Sequence, residues 1–256
     1  MDSETQVGWI TNGLMLILTV SLCFLLFHPA HYGRYTENRL FSLVINPRLA
    51  WCVQECPSFF FPGILLWRAW KHMRHHSVNV VLLTFFMTHY FNRAFLYPWT
   101  FSTARSPVPL SIVVAAFCFT SLNGYLQAID LCHVMKYDAF YPWSVRFLTG
   151  MTVASIGWAI NWHSDRILSR LKTGSSRRYA IPRGGLFEYV SCANYFGECL
   201  EWIGWAVATQ SRGGWCFAYC TCCNLVPRAL QHHVWYHQTF GSAYPSQRYA
   251  LIPFLL

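Results

Sequence analysis

The chain has 256 residues, long enough for one large domain or two small ones. Hydrophobic residues make up 54% of it, aromatics 18% and charged residues only 11%, against about 25% charged in an average soluble protein. So few charges cannot cover a soluble monomer; the aromatic content excludes intrinsic disorder, and the length excludes a small disulfide scaffold. The composition is that of an integral membrane protein. A net charge of +9 does not point to nucleic acid. Lys and Arg lie in short runs between apolar segments, which suits topogenesis and anionic headgroups or phosphates.

In chain order, the first apolar segment runs from Gly8 to Phe27. It follows the acidic stretch MDSETQ, with no basic n-region and no small-residue cleavage site, so a retained helix is expected rather than a signal peptide. Further spans of about 20 residues are expected to begin near Trp51, Val80, Leu110, Ser144, Tyr189 and Trp215. The second and third are shortened by Pro and His, and the last two are joined by a tight turn around Ser211-Arg212-Gly213-Gly214. The expected fold is all-α, a polytopic bundle of seven transmembrane helices forming a single domain over residues 1–256. About two thirds of the Lys and Arg fall in one set of loops, Arg93 among them, which puts the amino terminus outside or in a lumen and the carboxyl terminus in the cytosol. Cys23, Cys118, Cys192 and Cys199 sit within apolar stretches and read as buried thiols rather than a disulfide framework.

A charge at membrane depth is costly, so ionisable residues within spans are functional candidates. Glu55 falls early in the second span, Asp165 at the end of the fifth, and Glu198 and Glu201 within the sixth. Asn194, Glu198 and Glu201 are spaced i, i+4, i+7; Asn161 and Asp165 i, i+4; Arg228, His232 and Tyr236 i, i+4, i+8. Each set shares one helix face. Three polar stripes near the cytosolic ends of the last three helices, beside the basic loop LSRLKTGSSRRYAIPRGG, suit a soluble phosphorylated ligand entering a common polar cavity. The plainer reading is that Asn, Glu and His only hold the bundle together by interhelical hydrogen bonds. That reading serves any one residue better than all of them, as does a seven-helix receptor or passive scaffold. Tyr97 and His133 read as interfacial or core residues.

His72, His75 and His76 form an H-x-x-H-H box like those of membrane di-iron enzymes, and with His232, His233 and His237 could suggest a metal site. Such sites need more boxes on one side of the membrane, and the topology separates these two, so no metal is expected and HMRHH reads as a solvated turn. Cys216, Cys220, Cys222 and Cys223 lack zinc-site spacing. No G-x-G-x-x-G follows a predicted strand, and no P-loop is present.

The run from Asn161 to Thr209, NWHSDRILSRLKTGSSRRYAIPRGGLFEYVSCANYFGECLEWIGWAVAT, resembles the carboxyl-terminal signature of the steroid 5α-reductases. The resemblance extends through PRALQHHVWY to YALIPFLL, and backward to HYGRYTE, WCVQECPSF and THYFNRAFLYP. It covers nearly the whole chain and favours the steroid branch over the polyprenol and very-long-chain enoyl-thioester reductases. It implies NADPH bound on the cytosolic side and reduction of the 4,5 double bond of a 3-oxo-Δ4-steroid. Matched residue by residue, it implies catalytic roles for Glu55, Tyr90 and Gln54, with His89 beside Tyr90. It implies cofactor contacts at Tyr32, Arg105, Asn161, Asp165, Lys172, Asn194, Glu198, Arg228, His232 and Tyr236. Lys172 stands where the family has Arg, keeping charge without the bidentate fork. Arg183 replaces Gln, Cys192 replaces Gly, and Ala115 stands where some members carry a pocket Arg. Arg177, Arg178 and Arg183 are candidates for selecting the 2′-phosphate. The implied partners are a lipophilic steroid and membrane lipids, with no nucleic acid; a monomer in the endoplasmic reticulum is expected.

Overall fold

A computed structural model describes residues 2–28, 43–100, 107–173 and 179–256. Tyr32, Arg105, Arg177 and Arg178 lie outside the described residues, as does the side chain of Lys172.

Helices dominate. α1 (Ser3–Phe27) is capped by Asp2, which accepts from the Thr5 backbone N–H at 2.7 Å, meeting one of the donors a helix start leaves open. Trp9, Leu16, Val20 and Phe27 stand exposed along α1, the pattern of a helix meant for an apolar surround. The pair β1 (Val44–Ile45) and β2 (Val108–Pro109) forms a small antiparallel ladder. α2 (Pro47–Glu55) and α3 (Pro57–Met73) meet at Cys56; Pro57 has no N–H with which to carry α2 onward. α4 (Ser77–Phe91) passes into a π-helical turn, Asn92–Leu96, and then the single turn α5 (Tyr97–Thr100). α6 (Leu110–Ile129) ends in a second π-helical turn, Asp130–Val134. Three long helices complete the chain: α7 (Val145–Thr173), α8 (Ala193–Thr209) and α9 (Arg212–Phe240).

Among the described residues, three helical units are long and apolar enough to cross a bilayer: Ser3–Phe27, Pro47–Met73 and Leu110–Val134. Helices for the other four expected spans exist, but they do not meet that test. α4 has 15 residues and α8 has 17, short of the roughly 20 a spanning helix needs. α7 and α9 are 29 residues each but carry too many polar groups. Their polar stripes are what lowers their hydropathy.

The expected turn between the last two helices shifts by two residues. Gln210 adopts the left-handed conformation with φ 51°, and Ser211 caps α9 by accepting from the Gly214 N–H at 2.9 Å. Arg212, Gly213 and Gly214 belong to the first turn of α9.

Two contacts set the positions of the functional side chains. α7 and α8 approach backbone to backbone through Gly150, Gly157, Gly197 and Gly204; a Cβ on Gly197 would lie 2.5 Å from the Asn161 nitrogen. Small residues are what allow such an approach between apolar helices. It brings the Asn161 and Asp165 stripe directly against Asn194 and Glu198. Elsewhere, α6 closes on the α2–α3 junction. A Cβ on Gly124 would come within 2.8 Å of the Ser58 Cα. The Ser58 hydroxyl donates to the Thr120 carbonyl at 2.8 Å, and the Thr120 hydroxyl donates to the Gln54 carbonyl. The core between these contacts is aromatic, with Phe86, Trp202 and Trp205 fully buried.

Candidate active site

Tyr90 lies near the end of α4 and is 4% exposed. Its ring packs against Phe86 at 4.8 Å and Trp202 at 6.1 Å. Its hydroxyl accepts from Asn123 Nδ2 on α6 at 3.4 Å. Glu55, the last residue of α2, is half-buried and lies within electrostatic reach of Tyr90, Arg93, Glu198 and His89. Gln54 is buried with its carbonyl held by Thr120. Among the described residues the amide on the Tyr90 hydroxyl is that of Asn123, a residue the sequence reading had not singled out.

The α7 and α8 stripes meet as expected. Asn161 Nδ2 donates to the Asn194 carbonyl at 2.9 Å and to Glu198 Oε2 at 3.4 Å, and the Asn194 side chain lies beside Asp165. Between them sits Arg93. Its guanidinium donates to Asp165 Oδ2 and Glu198 Oε2, each at 3.3 Å, and lies over the rings of Trp51 at 4.9 Å and Tyr97 at 4.6 Å. Arg93, expected in a loop, sits instead in the π-helical turn after α4, its side chain largely buried. Such turns recur at functional sites because they re-aim a helix face. Tyr97, read as interfacial or core, is half-buried with its ring against Arg93.

A sequence signal for this existed. His89 and Arg93 are i, i+4 on one element, and Glu198 and Glu201 are i, i+3 on another, so the basic pair matches the acidic pair. His89 Nδ1 and Glu201 Oε1 are 2.7 Å apart, with both residues buried. Glu201 thus meets His89, while Glu198 meets both Arg93 and Asn161 of α7.

The α9 stripe joins through Tyr195, the neighbour of Asn194. The Tyr195 hydroxyl and His232 Nε2 share a hydrogen bond at 3.3 Å, and the Arg228 guanidinium lies over the Tyr195 ring at 5.5 Å. Tyr236 stacks on Tyr244 at 5.1 Å with 9° between planes. Tyr244 in turn shares a hydrogen bond with Ser191 at 2.7 Å, and Ser191 with His233 at 2.6 Å. Arg183 is exposed, and so is Ala115 on α6. The His72 and His76 rings stand 4.4 Å apart and line a small cavity with His133, Lys136 and Asn79. Among the described residues, no three His, Cys, Asp or Glu side chains are placed to hold a metal ion.

Hydrogen-bonding groups set among aromatic rings, beside a cluster of amides and carboxylates on membrane-type helices, define a helical enzyme whose site is built between its helices. Comparison with known proteins makes this particular. The family model described as 3-oxo-5-alpha-steroid 4-dehydrogenase matches residues 106–256. The 3-oxo-5-alpha-steroid 4-dehydrogenase 1 of Bos taurus is 42% identical over 227 residues, covering 88% of this chain and 87% of its own. The protein of that name from Mus musculus is 43% identical over 225 residues, covering 88% and 87%. Steroid 5-alpha-reductase DET2 of Gossypium hirsutum is 38% identical over 260 residues, covering 99% of each. The chain belongs to the 3-oxo-5-alpha-steroid 4-dehydrogenase family and is an oxidoreductase acting on CH–CH groups.

Proposed function

We propose that the protein reduces the 4,5 double bond of 3-oxo-Δ4-steroids to 5α-steroids with NADPH. We place it in the endoplasmic reticulum membrane, with seven spans, the amino terminus lumenal and the carboxyl terminus cytosolic. The observation that carries the reading is the position of Glu55, within electrostatic reach both of Tyr90 and of the Arg93–Glu198 pair. One carboxyl thereby joins a hydrogen-bonding tyrosine to the polar cluster of α7 and α8.

That cluster fits a dinucleotide by the chemistry of its groups. Asn161 and Asn194 offer amides, Asp165 and Glu198 offer carboxylates that accept from ribose hydroxyls, and Arg228 offers a guanidinium suited to phosphate. His232 and Tyr236 extend the stripe, and Tyr32, Arg105 and Lys172 join the set by resemblance. When bound, the nicotinamide supplies the hydride that C5 of the steroid accepts. The chain's own part is at the other end of the enone. As C5 gains hydride, negative charge develops on the C3 carbonyl oxygen, and a fixed donor there is a large catalytic term. Tyr90 donates to that oxygen, and Glu55 in protonated form supports it directly or through Tyr90. Gln54 orients the pair, and C4 then takes a proton from water. The buried aromatic rings around Tyr90 keep water from competing for its hydroxyl.

The test is NADPH consumption by the purified protein in detergent, with testosterone, progesterone or no steroid. Steroid-dependent oxidation with a 5α product is expected. NADPH binding without reduction of either steroid would overturn the substrate assignment in favour of an enoyl-thioester or polyprenol. Glu55→Gln should lower turnover about 10²–10³-fold with cofactor affinity unchanged; loss of cofactor affinity instead would remove Glu55 from the steroid end.

A further inference from the structure

Beneath Tyr90, α6 carries buried amides that no part of the mechanism above uses. Asn123 is 1% exposed and Gln127 is 0% exposed. Spaced i, i+4, they share a face. Amides packed this deep in a helix bundle are costly unless every group is matched, and here the matching has a direction.

The direction starts at Trp205, whose indole N–H can only donate. It donates to Gln127 Oε1 at 3.0 Å, so the Gln127 amide nitrogen must face the other way. Gln127 Nε2 donates to the Gly213 carbonyl at 2.8 Å, which can only accept, and to Asn123 Oδ1 at 3.2 Å. Both ends agree on the orientation of the amide. With its oxygen taken by Gln127, Asn123 must present nitrogen to Tyr90, and it donates to the Tyr90 hydroxyl oxygen at 3.4 Å. Ser58 stands near the Tyr90 hydroxyl, but its own hydroxyl donates to the Thr120 carbonyl at 2.8 Å. The Gly213 peptide that anchors the chain is gripped from its other side, its N–H donating to Asp130 Oδ2 at 2.8 Å.

We infer that Asn123 and Gln127 are positioning residues whose one-way hydrogen-bond chain, set by Trp205 and the Gly213 carbonyl, holds Tyr90 as an obligate donor. Asn123, the amide bonded to the Tyr90 hydroxyl, is itself the donor there and cannot take the Tyr90 proton. The Tyr90 proton is thereby left for a carbonyl oxygen when one arrives. The inference rests on the proposed role of Tyr90 as the donor to the C3 oxygen, and deepens it: the side chain's direction of donation is built into α6 and α8, not into Tyr90 alone.

The experiment replaces Asn123 by Asp, which keeps the shape but accepts where Asn123 donates, so Tyr90 gives its proton to the carboxylate. With purified protein in detergent and testosterone as probe, kcat should fall about tenfold or more. NADPH affinity by fluorescence titration, and testosterone affinity by equilibrium dialysis without cofactor, should stay within about threefold. In a Tyr90→Phe background the same substitution should cost nothing further, because it acts only through that hydroxyl. Gln127→Met, which removes the setting donor at similar volume, should give a smaller kcat loss of the same pattern, and stands as the readout should Asn123→Asp not bind NADPH. A full kcat in either folded variant, or an equal loss in the Tyr90→Phe background, would overturn the positioning role while leaving Tyr90 in place. Full kcat in Tyr90→Phe alone would instead overturn the donor role of Tyr90, a separate failure.

Discussion

Arg93 shows how much one side chain can hold at an interior site. Its guanidinium is fixed by two carboxylates and two aromatic faces, on α7, α8, α2 and α5. Asp165 and Glu198 without it would be two anions close together, with little water to screen them. Breaking a buried pair by deleting one partner costs about 3–5 kcal/mol, because the other charge stays behind unmatched. Arg93→Met should therefore lower thermal stability in detergent sharply, with Arg93→Lys intermediate; an unchanged melting temperature for Arg93→Met would show that the carboxylates do not depend on it. Arg93 looked like an ordinary topogenic arginine in the sequence because its carboxylate partners lie more than seventy positions away. Asn194 and Glu198, by contrast, were legible: spacing alone puts them on one face, and an acid within an apolar run has few bland explanations.

At the scale of elements, the α7–α8 contact decides whether the polar stripes meet. Gly157 and Gly197 face each other; a Cβ on Gly157 would come within 2.6 Å of the Gly197 carbonyl oxygen. Gly157→Val should push the helices apart at a cost of about 1–3 kcal/mol, and the Asn161 to Asn194 hydrogen bond should break with them. A falling melting temperature together with weakened NADPH binding is the expected pair of results; stability loss with full cofactor affinity would separate the stripes from the cofactor site. Helix boundaries were partly readable: Pro57 breaks α2 from α3 as its chemistry requires, and Leu110 opens α6. The π-helical turns were not. No residue pattern in Asn92–Leu96 or Asp130–Val134 announces the extra residue per turn, which is tolerated because tertiary partners such as Arg93 and Asp130 hold it open.

At the scale of the whole molecule, the carboxyl-terminal tail returns over the entry to α8. The Ser191 N–H donates to the Tyr249 carbonyl at 2.8 Å, and Arg248, 3% exposed, donates to the Pro182 carbonyl at 2.9 Å. Glu188 ties loop and tail. The Gly184 N–H, with help from Arg248 and Arg183, holds its carboxyl below the usual 4.5. A depressed carboxylate stabilises the fold above its unfolded pKa, and that contribution is lost as pH falls through the folded value. The tail should loosen below about pH 4, seen as faster amide exchange over residues 244–256, and Glu188→Gln should remove most of that pH dependence. An identical pH profile in the variant would assign the loosening to other groups.

Composition by itself determined the class, since so few charges and so many aromatics leave no soluble option. Helical periodicity determined which polar residues share a face, and long motifs determined the family. Only the tertiary structure decided which faces meet. The 3.6-residue period fixes a side chain's direction within its own helix. The rotation and sliding of one helix against another follow from close packing of small residues far apart in sequence. That packing turns Arg93 onto Asp165 and Glu198, turns Glu201 onto His89, and runs the amide chain from Trp205 through Gln127 and Asn123 to Tyr90.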